Sequence, residues 1–300
     1  MAILLRNAAT AAKTVAPSYT EAEDRDMALA CRPPGGGCGL APMSENIFDL
    51  IAADNLSKTF VRTPDGQRMA YGEMERGTAR LANALVALGV EPGDRVAVQV
   101  EKSPEAILLY LACLRAGAVY LPLNTAYTVG ELEYFICDAQ PRVVVCAPEK
   151  RYAIAGIAAR HGVSATETLG GDGISGTLAG RAAAADSQFQ TAVRKADDLA
   201  AILYTSGTTG RSKGAMLTHG NLSSNALALK HCWRFTADDV LLHALPIYHT
   251  HGLFVATNVV LLAGAEMIFL PKFDVETIVK HLSEATTMMG VPTYYTRLLQ

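Results

Sequence analysis

Tyr204-Thr205-Ser206-Gly207-Thr208-Thr209-Gly210-Arg211-Ser212-Lys213-Gly214 gathers glycines, hydroxyls and a lysine into one short run. It follows directly on Leu199–Tyr204, an apolar stretch that reads as a buried strand. Glycines let a backbone come close to an anion and turn its N–H groups toward it. The hydroxyls of Thr205, Ser206, Thr208 and Thr209 add donors, and Lys213 adds a full positive charge. A loop so equipped suits the β- and γ-phosphates of a nucleotide. It is not a P-loop of the G-x-x-x-x-G-K-[ST] type: Gly207 and Gly210 stand too close together, and Lys213 is followed by Gly214. Kinases and P-loop ATPases are therefore disfavoured. An ordinary polar turn would also use Gly, Ser and Thr, but the whole string behind an apolar strand is a poor match to chance.

Outward from this loop, strand and helix patterns alternate. Met74, Leu81, Leu85 and Leu88 recur at helical steps, and Gly89 marks a stop. Arg95–Val100 reads as a strand. Ser103-Pro104 supplies an N-cap and an N1 proline for a helix over Glu105–Ala116, which Gly117 ends. Val119–Leu123 is a strand, Thr128 to Glu131 a capping box for a helix reaching about Asp138, and Val143–Cys146 a short buried strand. Residues 162–186, rich in Gly, Ala and Ser, predict a weak strand, a loop and a short helix. Beyond the loop come helices near Asn221–His231, Leu253–Leu262 and Val275–Glu284, strands at Val240–Ala244, Met267–Leu270 and Thr287–Val291, and a last helix opened by Pro292. Such alternation predicts an α/β fold of layered parallel or mixed sheets covered by helices.

Half of the 300 residues are hydrophobic, enough for a large core, and the net charge is -3. No cluster of Lys and Arg suggests nucleic acid or a membrane surface. The apolar run Gly252–Ala265 stops at Glu266, short of the roughly 20 residues a membrane span needs. The six cysteines contain no CxxC pair and read as buried, reduced thiols of a cytoplasmic protein. Residues 1–42, with Pro33, Pro34 and Gly35-Gly36-Gly37, are expected to form a disordered extension. Met1–Thr20 carries Arg6 and Lys13 without an acid, so a mitochondrial address is the alternative.

Two further stretches stand in order around the loop: Leu114-Arg115-Ala116-Gly117-Ala118-Val119-Tyr120-Leu121-Pro122-Leu123 and Pro246-Ile247-Tyr248-His249-Thr250-His251-Gly252. Together with the loop they resemble the motifs of the adenylate-forming enzymes: acyl-CoA synthetases, peptide-synthetase adenylation domains and luciferases. The resemblance spans about residues 45–300. The family commonly has Pro where this chain has Ser212. Arg211-Ser212, Thr250-His251-Gly252-Leu253 and Gly290-Val291-Pro292-Thr293-Tyr294-Tyr295-Thr296-Arg297 are most similar to malonyl-CoA synthetases.

The resemblance implies the large N-terminal domain of that family and a two-step ligation. A carboxylate attacks the α-phosphorus of ATP, pyrophosphate leaves, and the thiol of coenzyme A then displaces AMP from the acyl-adenylate. Thr205, Ser206, Gly207, Thr208, Thr209, Gly210 and Lys213 would hold the phosphates, with Mg²⁺ bridging phosphate oxygens. His249 would serve catalysis and the acyl pocket. His249-x-His251 lacks a third ligand nearby, so no protein metal site is expected. Arg297 would pair with the second carboxylate of malonate or methylmalonate, because a charge entering an apolar pocket needs a partner. A solvated helix-surface arginine is the competing reading of Arg297. Fatty or aromatic acids are the neighbouring substrate classes, and a non-catalytic nucleotide-binding remnant is the alternative from another class. The family's later motifs and mobile C-terminal domain do not occur in these residues, so the chain alone is expected to be inactive. Oligomeric state is left open.

Overall fold

A computed structural model describes residues 3–6, 44–52, 54–205 and 211–300. Two mixed sheets of six strands each form its frame. The strands are β1 (Ile3–Arg6), β2 (Thr59–Arg62), β3 (Arg68–Ala70), β4 (Arg95–Gln99), β5 (Val119–Pro122), β6 (Val143–Cys146), β7 (Ala165–Thr168), β8 (Leu199–Thr205), β9 (Lys213–Thr218), β10 (Val240–His243), β11 (Glu266–Phe269) and β12 (Thr287–Gly290). One sheet runs β1-β12-β10-β11-β2-β3 and the other β7-β6-β4-β5-β8-β9. The inner strands pair in parallel, and β1, β3 and β9 pair antiparallel at edges.

The helices are α1 (Tyr71–Ala87), α2 (Pro104–Ala116), α3 (Val129–Ala139), α4 (Arg151–Arg160), α5 (Thr177–Ala184), α6 (His219–Cys232), α7 (Asn258–Ala263), α8 (Val275–Leu282) and α9 (Pro292–Leu298). Strand pleating assigns them to layers, since successive side chains face opposite ways. Val96, Val98, Val143 and Val145 join one cluster with Leu241, Met267 and Phe269 of the other sheet, and with α1, α2, α6 and α7. Their neighbours Ala97, Val144 and Cys146 turn outward onto Leu132, Phe135, Ile154 and Ile157 of α3 and α4. Leu242, Ile268 and Met288 turn outward onto Ile278 of α8. Two sheets thus share one inner helical layer, and each carries an outer one.

Local signals do what the sequence suggests at α2. The Ser103 side chain accepts the Ala106 N–H, Pro104 stands at N1, and Gly117 ends the helix in the left-handed region at φ 71°. Every side chain from Ala106 to Ala116 is buried. That includes Arg115, whose guanidinium donates to the Glu75 and Phe189 carbonyls and the Thr78 hydroxyl at 2.7–2.9 Å, and pairs with Glu75 at 3.0 Å. The arginine of the first family-like motif is therefore a staple for α1 and α2.

Several expectations change. Within residues 1–42, expected to be disordered, Ile3–Arg6 form β1 and pair antiparallel with β12, from Ile3 opposite Gly290 to Arg6 opposite Thr287. An edge strand offers unpaired N–H and C=O groups, and an apolar segment can take them up. The remainder of that extension lies outside the described residues. Helix α4, strand β9 and the β2–β3 hairpin add to the elements read from pattern. The single helix expected over Leu253–Leu262 is a π-helix at His251–Thr257 that runs on into α7. Cys113 and Cys146 are buried as expected, but Cys137 and Cys232 are exposed; these four are free thiols. Cys31 and Cys38 lie outside the described residues. Among the described residues, no helix is long and apolar enough to cross a membrane.

His219, fully buried at the start of α6, accepts the Ile47 N–H at Nδ1 (3.3 Å). Burial lowers its pKa from 6.5 to about 4, with Arg194 adding to the effect. An unfolded chain takes up this proton below about pH 6.5, and the folded chain only below about 4, so stability falls as pH drops through that window. Urea unfolding should show a loss on the order of 3 kcal/mol between about pH 7 and 4 that is largely absent in His219→Gln.

Candidate active site

Parallel strands send their C-terminal ends to one edge of a sheet, and ligands of α/β proteins bind in the crevice outside such edges. Here two edges face each other. A cavity of about 290 Å³ lies between them. From the β4–β5 side it is lined by Lys102, Tyr120, Pro122 and Thr125, and from the β10–β12 side by Pro246, Tyr248, Phe273 and Tyr294. The two family-like motifs contribute to both walls.

The phosphate-loop candidate leaves the same edge at the end of β8. Thr205 is paired with Lys213 across the β8–β9 ladder, so the two sides of the loop start and finish together. Both side chains are exposed. Ser206, Gly207, Thr208, Thr209 and Gly210 lie outside the described residues. Helix α3 grips both flanks of the loop: the Tyr204 hydroxyl donates to the Asp138 carboxylate, and the Tyr134 hydroxyl donates to the Ser212 carbonyl at 2.7 Å. Burial and the adjacent Asp138 carboxylate raise the Tyr204 pKa, so the phenol keeps its proton. Phe135 packs against Tyr204 with ring centres 4.5 Å apart. Sequence reading missed Tyr134 and Asp138 as partners, because their relation to Tyr204 and Ser212 exists only once α3 lies across the sheet.

His249 is exposed and stands edge-on to Tyr248, with ring centres 4.6 Å apart. It borders the cavity through Tyr248 and does not line it. His251, at the start of the π-helix, is half-buried, and its Nε2 has no partner. Burial lowers both pKa values, so both rings are neutral at pH 7. Gly252 then passes so close to the chain that a Cβ there would lie 2.1 Å from the Pro246 carbonyl oxygen. Only glycine allows this loop to close on itself.

Arg297 is exposed on α9, with its guanidinium over the Phe273 ring at 4.7 Å. Phe273 and Tyr294 stack at 4.0 Å and form the cavity wall. The arginine is thus one aromatic layer away from the cavity, held at its rim by a cation–π contact. Met288 and Met289 are core residues on opposite faces of β12, and Gly290 gives room to the Tyr295 ring. No cluster of three His, Cys, Asp or Glu side chains that could hold a metal is present among the described residues.

Lys102 is the residue the sequence did not flag. It follows β4, and its ammonium donates to His243 Nδ1 (3.1 Å) and to the His243 carbonyl (2.9 Å), and lies 4.3 Å from the Phe269 ring centre. No carboxylate pairs with it among the described residues, and burial depresses its pKa well below the usual lysine value. Its position just past the C-terminal end of a central parallel strand was the available signal.

The AMP-binding enzyme family matches residues 48–300. The chain belongs to this family. It is 35% identical over 232 residues to a feruloyl-CoA synthase from Amycolatopsis sp, covering 77% of this chain and 45% of that protein. It is 32% identical over 246 residues to the mitochondrial malonate–CoA ligase ACSF3 of Homo sapiens, covering 78% and 41%. The crystal structure of ATP-bound MatB from Rhodopseudomonas palustris superposes with a TM-score of 0.83 at 60% identity, covering 86% of this chain and 51% of that one. The chain spans about half the length of the relatives it matches. Its two sheets with their helical layers are the N-terminal domain architecture of adenylate-forming enzymes, and its family relatives are acyl-CoA ligases that use ATP.

If α3 holds the loop in place for the nucleotide, Tyr134→Phe and Asp138→Asn should each weaken ATP binding by about five-fold, the equivalent of one net hydrogen bond. Calorimetric titration of the two variants against the unaltered chain checks this, and melting temperatures should change little.

Proposed function

We propose that this chain forms the ATP- and acid-binding part of an acid–CoA ligase, and that its acid is malonate or methylmalonate. The observation that carries the reading is that the β8–β9 loop, bracketed by Thr205 and Lys213, leaves the same sheet edge whose β4–β5 end lines a small cavity between the two sheets. Lys213 and Thr205, with the donors of the residues between them, would hold the β- and γ-phosphates, and Mg²⁺ brought in with the nucleotide would supply charge neutralisation for the leaving pyrophosphate. The acid's carboxylate oxygen attacks the α-phosphorus, and the bond to the bridging oxygen breaks as pyrophosphate leaves. Coenzyme A sulfur then attacks the acyl carbonyl and AMP departs. Positioning and charge stabilisation are the protein's share of this chemistry. Neutral His249 beside Tyr248 stands at the mouth of the cavity, where it can donate to the carboxylate without adding charge. The free thiols suit a reducing compartment, and we place the protein in the cytoplasm.

About 290 Å³ is at the small end for ligand pockets, which favours a short acid over a long acyl chain. Arg297 at the rim supplies a cation for a second carboxylate. A second reading, an aromatic acid, is favoured by the ring-rich wall of Tyr120, Tyr248, Phe273 and Tyr294.

Replacing Lys213 with Ala should weaken Mg·ATP binding by about ten-fold or more, the loss expected for a charge-assisted contact. Equal affinity in wild type and variant would remove the phosphate-loop assignment. Arg297→Ala separates the two acids. Malonate binding, read by calorimetry with a non-hydrolysable ATP analogue present, should fall by at least about ten-fold, while binding of a cinnamate-type acid holds. Loss of the aromatic acid with malonate unaffected would reverse the order of the two readings.

A further inference from the structure

The Lys102 ammonium has two hydrogen-bond partners, and both belong to one residue of the opposite sheet. His243 in turn places Nε2 at 2.8 Å from the Gly252 carbonyl oxygen. A carbonyl only accepts, so Nε2 carries the proton. Lys102 only donates, so Nδ1 is the bare acceptor. One tautomer satisfies every partner. The Gly252 carbonyl also takes the Thr257 hydroxyl at 3.0 Å. This oxygen sits one residue past His249-Thr250-His251 and within the turn that the Gly252–Pro246 approach closes.

We propose that Lys102 is a positioning residue for the histidine loop: its ammonium, reaching from the end of β4, locks the His243 ring so that Nε2–H anchors the Gly252 carbonyl and holds Tyr248–His251 at the cavity mouth. The role in acid binding rests on reading that cavity as the acid site. The groups that face His243 are few. Lys102 comes from the β4 side and His251 from the π-helix, and both oppose a proton on the ring. The paired strands present only Phe269 of β11 and Met289 of β12 at this register. His243 is fully buried, and its pKa lies well below 6.5, from desolvation first and then Lys102. Removing the ammonium leaves Nδ1 without a donor and removes the nearest charge that keeps the ring neutral. The ring's pKa then rises from its depressed position, and a ring that takes a proton more readily is a weaker and more pH-dependent anchor.

The test uses the chain with Lys102→Met and Lys102→Arg. Lys102→Met should raise amide hydrogen exchange over residues 248–253 by at least about ten-fold and move the His243 titration to higher pH than in wild type in nitrogen-15 NMR. Lys102→Arg, which keeps donor and charge, should restore both to wild-type values. Malonate affinity of Lys102→Met should fall by about ten-fold, more at acid pH, while ATP affinity stays within about two-fold. Unchanged exchange over residues 248–253 in folded Lys102→Met, or failure of Lys102→Arg to restore it, overturns the proposal. Should Lys102→Met not fold, the wild-type ring decides. Proton on Nε2 with bare Nδ1 at pH 7 supports the anchor, and proton on Nδ1 overturns it. If exchange and titration behave as stated but malonate binds neither wild type nor variant, the acid-site reading falls and the positioning role stands.

Discussion

Helix α2 must be covered on all sides. Its residues from Ala106 to Ala116 are buried in turn, with no polar stripe to leave facing water. A helix of that kind cannot lie on the outside of a single sheet. It is satisfied by two sheets with α2 between them, and the inner cluster joins Val96 and Val143 of one sheet to Leu241 and Met267 of the other through it. At about 25 cal/mol per Å² of buried apolar surface, one such helix contributes more than most surface interactions combined. The facing of the two strand edges, and hence the cavity, follows from this sandwich.

The same sandwich makes buried cations a problem, and each is solved differently. Arg115 at the C-terminal end of α2 is surrounded by carbonyls, a hydroxyl and Glu75, so its charge is matched where it stands. Lys102, two residues before the N-terminus of α2, has no carboxylate and leans on His243 and the Phe269 ring. Arg297 stays at the surface with its plane on Phe273. An uncompensated buried cation beside a cavity is costly unless it does something for the site. Holding a neutral histidine in one tautomer is such a use.

In the proposed reading the β8–β9 loop receives a nucleotide, and such a loop has to be open and yet held in place. Glycines give openness at the cost of order. The β8–β9 ladder and α3 supply the order: Thr205 faces Lys213, and Tyr134 and Asp138 take hold just outside the loop on either side. The contacts fall on Tyr204 and Ser212 and leave the side chains of Thr205 and Lys213 exposed.

Local features were legible in the sequence because their causes are local. The N-cap at Ser103, the capping box at Thr128, the stop at Gly117 and the phosphate-suited string after Leu199–Tyr204 each depend on residues a few positions apart. The layered α/β class followed from their alternation. Helix α4, with a weak periodic face, and strand β9, with a mostly exposed one, carry little signal of their own. Segment β1 was hidden because its partner β12 lies almost the whole chain away. What tertiary structure alone decided is which residues meet. Lys102 reaches His243 across two sheets, Tyr134 reaches Ser212, and Arg297 comes to rest on Phe273. The reason is physical: periodicity and capping act over a turn or a strand, whereas these contacts are set by burying α2 from both sides, a condition on the whole chain at once.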